Sequence, residues 1–277
     1  MNKRMETPAV TKKRIISYLS QGKRFDGRKP FEYRDLKIET GVSNKAEGSA
    51  RVRLGTTEVM VGVKLDLMTP FGDSPESGVL MVTTELSPMA SEKFEKGPPS
   101  IEAVEISRIV DRGIRESEAI DMGKLCVKAG EKVWAVLIDI YPINDGGNLI
   151  DASFLAAMAA LKTAVFPEIE EKEKVKKVKY GELTDKKLPL NDDLPLTMTF
   201  YRAGSSFLID PTTEEEESSE ARLSVAISLS KKEELIHAMQ KGGDATFSFE
   251  DVQLMLDAAS KEIKVLFDAF EKSMKGK

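Results

Sequence analysis

Residues 136–166 read VLIDIYPINDGGNLIDASFLAAMAALKTAVF, a strand, a glycine turn and a helix in succession. Trp134, Val136, Ile138 and Ile140 alternate with other residues, which is the period of a strand. Asp145-Gly146-Gly147-Asn148 is a turn, where glycine can take the positive φ that other residues resist. Asn148 stands where a helix N-cap belongs, with Asp151 three residues on, in the place of a capping box. Phe154, Met158, Leu161 and Val165 fall at helical spacing with alanines on the other faces. A helix apolar on all sides is buried, and Pro167 is expected to stop it.

A glycine turn feeding a helix N-terminus offers free N–H groups and the positive end of the helix dipole to an anion. Here Asn148, Leu149 and Ile150 bring no positive charge, and Asp151 in the first helical turn would repel phosphate. Gly146, Gly147, Asn148 and Leu149 are therefore either a plain strand-to-helix turn or a phosphate loop without its cation.

On the N-terminal side of this unit, residues 8–21 predict a short amphipathic helix with Ile15, Ile16 and Leu19 inward, ended by Gly22. Arg24-Phe25-Asp26-Gly27-Arg28 predicts a turn with solvated arginines. Residues 34–67 predict a meander of antiparallel hairpins, with strands near 36–40, 50–54 and 58–63. Residues 77–87 predict a further strand, and residues 124–141 two strands about Gly130-Glu131. Between these, residues 100–118 predict a helix capped by Ser100, with Ile106, Ile109, Val110 and Ile114 as its core stripe. Arg108, Arg112 and Arg115 share a face away from that stripe. Three guanidiniums so placed suit successive phosphates, or they pair along the helix, Arg115 with Asp111 and Arg112 with Glu116.

On the C-terminal side, residues 168–193 form a mixed charge run, expected to be a solvated excursion between lobes. Strands are expected at 196–201, 206–210 and 223–228, then helices at 231–240, which holds His237, and at 248–273. Strands followed by helices, given twice, predict an α+β chain of two related lobes, residues 1–190 and 191–277.

Several of these stretches together resemble the RNase PH family: Arg24 to Arg28, Gly48-Ser49-Ala50 with Gly55-Thr56-Thr57, Glu105 to Ser117, and Asp145-Gly146-Gly147. The resemblance implies the RNase PH fold, two ββαβα-type lobes, the N-terminal one of the ribosomal protein S5 domain 2-like kind. Active members follow the glycines with Ser or Thr and an Arg that hold phosphate; Asn148 and Leu149 stand there instead. Active members also place two aspartates about the loop after the strand at 206–210. Asp210 matches the first, and Arg222 falls in the place of the second, where it is expected to pair with Asp210. Both departures imply a degenerate catalytic position with no catalytic residue and no metal or cofactor of its own. Glu214 to Glu217 are four consecutive acids, open to Mg²⁺ but expected to be a solvated loop.

Within the family, the chain is most similar to non-catalytic subunits of archaeal exosome rings. That implies a catalytic RNase PH-like sister holding phosphate and Mg²⁺, three such heterodimers in a ring, trimeric RNA-binding cap subunits, and single-stranded RNA threaded along Arg108, Arg112 and Arg115. Leu65, Leu67, Met68, Val79 and Met81 are candidates for that interface, among which the sequence does not choose. Two other readings stay open: an active phosphate-dependent 3′-exoribonuclease, or a nucleotide-binding protein such as a small-molecule kinase using residues 145–148.

Composition narrows the classes. A chain of 277 residues with 41% hydrophobic and 31% charged residues is globular. One cysteine, Cys126, leaves no disulfide framework, and with His237 the only histidine, in a stretch read as an ordinary helix, a Cys/His zinc site and a Ser-His-Asp triad are nearly excluded. A net charge of −5 argues against strong nucleic-acid binding by the chain alone. No apolar run approaches the ~18 residues of a membrane span, and the N-terminus lacks a signal-like apolar core, so a cytoplasmic protein is expected.

Overall fold

The computed structural model describes residues 7–172, 175–230 and 233–276. Residues 1–6 of the expected N-terminal lobe, 173–174 of the charge run and 231–232 of the expected helix lie outside the described residues.

The first sheet has the order β1-β2-β3-β6-β4, with β5 added beside β6. Its strands are β1 (Leu36–Thr40), β2 (Gly48–Leu54), β3 (Thr57–Met68), β4 (Val79–Thr84), β5 (Cys126–Lys128) and β6 (Lys132–Asn144). β1, β2, β3 and β6 pair antiparallel, as a meander should. β4 runs parallel to β6, Val79 opposite Ala135 through Thr84 opposite Ile140. The crossover that parallel pairing requires is α2 (Ile101–Glu116), preceded by α1 (Ala9–Leu19) in the chain. Ser100 caps α2, its hydroxyl accepting from the Ala103 N–H at 3.2 Å.

The helix α3 (Leu149–Thr163) is buried on every side from Leu149 to Leu161. It packs against β2 and β3 of the first sheet and against β9 (Pro195–Ala203) of the second. That position explains the alanines, since a helix between two sheets needs small residues for both to approach. Gly113 on α2 serves the same closeness: a Cβ there would lie 2.4 Å from the Phe154 ring. The helix ends earlier than Pro167 predicts. Ala164 is already extended, and Val165 opens the strand β7 (Val165–Lys172), which contains Pro167. Pairing of Ala164 with Leu188 and of Val165 with Glu47 stops the helix before the proline can.

The charge run, expected as a solvated excursion, is mostly exposed and takes a regular form: β7 and β8 (Val175–Lys187) make an antiparallel two-stranded ribbon. Glu168 faces Lys179 across it and Ile169 faces Val178, so opposite charges pair on one face and apolar residues on the other. The second sheet has the order β10-β9-β11-β12, all antiparallel, with β10 (Ser206–Ile209), β11 (Ala221–Leu229) and β12 (Glu234–Gly243). β12 corrects the helix expected over 231–240. A register shift between Ala226 and Ile227 leaves His237 without a strand partner. Its ring lies 2.8 Å from the Ser228 hydroxyl, and partial burial pulls its pKa down. The short α4 (Thr213–Glu217) joins β10 to β11. The long α5 (Phe249–Met274), capped by a Ser248–Asp251 box, closes the fold over β1 and β9.

A single hydrophobic cluster runs from Val52 and Val61 through Phe154 and Met158 to Phe200, Val225 and Ile263. Leu65 and Val79 belong to the interior rather than to an outer interface, while Met81 is 41% exposed. Among the described residues no helix is long and apolar enough to cross a membrane.

Candidate functional site

The strand–turn–helix unit and α4 meet at a joint of buried charge. Gly147 has φ +90, and a Cβ there would sit 2.5 Å from the Pro211 carbonyl, so only glycine lets the two segments touch. Asn148 holds the left-handed conformation, φ 56 and ψ 46, and its side chain caps no backbone N–H. Its amide instead donates to Asp151 Oδ2 at 3.0 Å and to Asp210 Oδ1 at 3.1 Å. The capping box expected from Asn148 and Asp151 is thus replaced by a side-chain bond that faces the second sheet.

Asp210 is fully buried, with φ 44. Arg34 donates to both its oxygens, at 2.9 and 2.7 Å, and also to the Gly146 and Gly147 carbonyls. Arg28 reaches Asp210 Oδ2 at 3.0 Å. Arg24 is 4% exposed, is paired with Glu215 at 2.5 Å and donates to the Ile209 and Asp210 carbonyls. The arginines of the 24–28 turn are therefore anchors of this joint and not solvated side chains. A buried guanidinium needs such partners, because an unpaired buried charge is costly.

Arg222 does not pair with Asp210 as the sequence suggests. Its Nη2 lies 2.5 Å from Glu105 Oε1 on α2, and both residues line one cavity. Asp151 is likewise turned away from any phosphate. It is completely buried and accepts from Tyr33, Asn148 and Thr199, the last through both its N–H and its hydroxyl. Burial pushes its pKa up to about 6 against these bonds, which pull it down.

Two N–H groups of the glycine turn already have acceptors. Gly147 N–H donates to Asp145 Oδ1 at 3.1 Å, and Asn148 N–H donates to Glu216 Oε2 at 2.9 Å. Glu216 also accepts from the Tyr201 hydroxyl at 3.0 Å, and burial raises its pKa. The expected solvated loop of acids is instead a short helix: Glu214 is exposed, but Glu215 reaches inward to Arg24, Glu216 to Asn148 and Glu217 to Lys93. A cavity of about 300 Å³ opens beside Leu149 and Glu216. Its cations, Lys93 and Arg222, are both held by glutamates, while Glu102, Asp145 and Glu220 add further negative charge. Among the described residues no group of acids, histidine and cysteine is placed to hold a metal ion.

The arginine face of α2 is different. Arg108, Arg112 and Arg115 are all exposed, opposite the buried Ile106, Ile109, Val110 and Ile114. Arg115 is engaged, with Asp111 at 2.7 Å and the Leu80 carbonyl at 3.3 Å. Arg108 and Arg112 form no ion pair with a described residue, so the expected Arg112–Glu116 pair is not made.

Sequence reasoning missed Arg34, Tyr33, Tyr201 and the inward role of Glu216. Their partners lie from 15 to 176 residues away, and no local pattern marks them.

Comparison with known proteins follows this geometry. Residues 32–167 match the model of the 3′ exoribonuclease family, domain 1 (RNase PH), and residues 193–262 match domain 2. The "Exosome complex component Rrp42" of Methanocella arvoryzae is 44% identical over 257 residues, covering 93% of this chain and 94% of the relative. That of Methanothermobacter thermautotrophicus is 42% identical over 99% of both. Among solved structures, a chain of the Archaeoglobus fulgidus exosome with RNA bound to the active site superposes with a TM-score of 0.81, at 38% identity. That match covers 93% of this chain and 98% of the other. A chain of an archaeal exosome core gives 0.80 at 36%, over 95% and 96%.

Proposed function

The chain belongs to the 3′ exoribonuclease family of the RNase PH type, and from that premise we propose that it is a non-catalytic, RNA-contacting subunit of an archaeal-type exosome core. The observation that carries this reading is the carboxylate of Glu216 on the Asn148 N–H. In a working phosphorolytic site this N–H and its glycine neighbours would face the attacking phosphate, with a cation beside them. Here the anion's place is filled from within, Leu149 supplies no charge, and the surrounding glutamates oppose a second anion. Arg222, tied to Glu105, offers no proton to a leaving 3′ oxygen.

Chemistry then falls to an RNase PH-like sister. There an orthophosphate oxygen would bond to the terminal phosphodiester phosphorus as its bond to the 3′ oxygen breaks, releasing a nucleoside diphosphate and a shortened strand whose 3′ oxygen takes up a proton; Mg²⁺ bound by the sister would supply charge neutralisation. This chain contributes Arg108 and Arg112 to hold the strand's phosphates as it approaches that site, with Arg115 steadied by Asp111. Three heterodimers close a cytoplasmic ring under trimeric cap subunits.

Co-expression with such a sister tests the assignment. The complex should shorten RNA in the presence of orthophosphate, and Glu216→Ala in this chain should leave that rate within about twofold of wild type. Light scattering should give a 1:1 pair closed into a trimer of pairs, with an obligate interface on the order of 2,000 Å². A stable monomer that ignores the sister, or a rate abolished by Glu216→Ala with the ring intact, contradicts the proposal.

A further inference from the structure

The chain carries a net charge of −5, yet Lys13, Arg14 and Lys23 gather on α1 and the turn after it. All three are exposed, and none forms an ion pair with a described residue. Set among them are two aromatic rings, Tyr18 and Phe25, 40% and 46% exposed. Their centroids lie 4.9 Å apart at an interplanar angle of 73°, and the Arg14 guanidinium sits 5.9 Å above the Phe25 ring. The nearest acid in sequence, Asp26, is held by Arg28 at 2.7 Å and does not neutralise the cluster.

The platform is fixed from behind. Ile15 and Leu19 are buried against Tyr201, Ala203 and Leu208. After the helix, the Gly22 and Lys23 N–H groups bond back to Leu19 and Tyr18 at 2.9 and 3.0 Å. Arg24 then plunges into the joint with Glu215 and Asp210, so its two neighbours, Lys23 and Phe25, must face outward. Rings and cations held ready in this way lose little freedom on binding.

The mixture selects among occupants. An apolar protein surface would leave Lys13, Arg14 and Lys23 desolvated without partners. An acidic peptide would use the cations but has no call for two exposed rings. A single nucleic-acid strand uses both, bases on the aromatic faces and phosphates on the cations. We infer that α1 and the turn after it form a second contact surface for single-stranded RNA, apart from the α2 arginines. α1 packs on α4 and β10, while α2 packs on β4, α3 and β12, so the two surfaces belong to different parts of the fold. This inference rests on the RNA-handling role proposed above.

The test uses the co-purified complex and fluorescence anisotropy with a short and a long labelled oligoadenylate. The short strand is chosen to cover the α2 face alone, and the long one to reach α1 as well. Tyr18→Ala with Phe25→Ala, and separately Lys13→Glu with Arg14→Glu, should each weaken the long strand about tenfold and leave the short one unchanged. Tyr18→Phe with Phe25→Tyr should retain wild-type affinity, and ultraviolet cross-linking should mark a peptide containing Tyr18 or Phe25. Lys13 and Arg14 lie on the exposed side of α1, so the charge-reversed protein should melt as wild type. Long-strand affinity unchanged in both variants overturns the inference, even if Arg108→Glu with Arg112→Glu weakens both strands. A variant that loses a protein subunit while RNA affinity stays constant also overturns it. A wild-type complex that binds neither strand overturns the RNA-handling role itself.

Discussion

At the N-terminus of α3, Arg24, Arg28 and Arg34 are each bound to a carboxylate of their own chain, and the glycine turn has taken Glu216 as its anion. On the outer face of α2, Arg108 and Arg112 are exposed and pair with no described residue. Both regions are rich in arginine, yet only the second has cations left for a ligand. The difference teaches that arginine content alone does not mark a phosphate site. What matters is whether the chain supplies the counter-charge itself. At the joint it does, and charge becomes structure that fastens α3, α4 and the 24–34 segment together.

The largest effect should come from unpairing that joint. Arg24→Met leaves Glu215, 3% exposed, without its partner. Removing one member of a buried pair costs about 3–5 kcal/mol, and thermal unfolding should register a fall on the order of 10 °C. Arg24→Met with Glu215→Leu should recover part of the loss, because the stranded charge goes too. If the single variant melts as wild type, the joint does not have the structural role given to it.

Acidification should sharpen the contrast next. Asp151 in the folded chain titrates near 6, above its ordinary value of 3.8, because burial outweighs its hydrogen bonds. The folded state therefore binds this proton more tightly than the unfolded state. Its contribution to stability is fully present below about 4 and is lost as pH rises through 6, a change on the order of 2–3 kcal/mol. Chemical denaturation of wild type and Asp151→Asn across this window checks it. The variant should lack that component of the pH dependence, whatever its absolute stability.

A smaller effect belongs to the α2 face. Arg108→Glu with Arg112→Glu should weaken RNA binding by the assembled complex and flatten its salt dependence. Each lost phosphate contact on a single strand removes about 0.7 from the log–log slope. Melting should change by less than about 1 kcal/mol in stability, since both side chains are exposed. An unchanged slope would place RNA elsewhere.

The same contrast explains what the sequence made legible. The meander of β1–β3, the α2 stripe, the buried α3 and the capped α5 follow from local period and caps, and each lies within a few residues of its expected bounds. β12 was hidden because its strand is bulged at His237, which breaks alternation, while Glu, Leu, Met, Gln and Lys in ELIHAMQKGG favour helix. The β7–β8 ribbon was hidden because charged residues dominate its sequence and mask the few apolar ones, such as Ile169 opposite Val178. At the site, the glycine turn and Asp210 could be found from sequence. The partners could not. That Arg34 binds Asp210, that Glu216 fills the turn and that Arg222 goes to Glu105 are decided by pairings across the fold, for which a single sequence offers no period and no spacing.

The central claim, that this chain has closed its own phosphate site, is tested most directly by incubating the purified chain alone with RNA and orthophosphate and measuring nucleoside diphosphate release. The account predicts no phosphate-dependent release from wild type, nor from Leu149→Arg, since Glu216 would still occupy the Asn148 N–H and Arg222 would still stand in for a carboxylate. Sustained release by the isolated chain, free of trace sister and lost on substitution of Asp210, would contradict it.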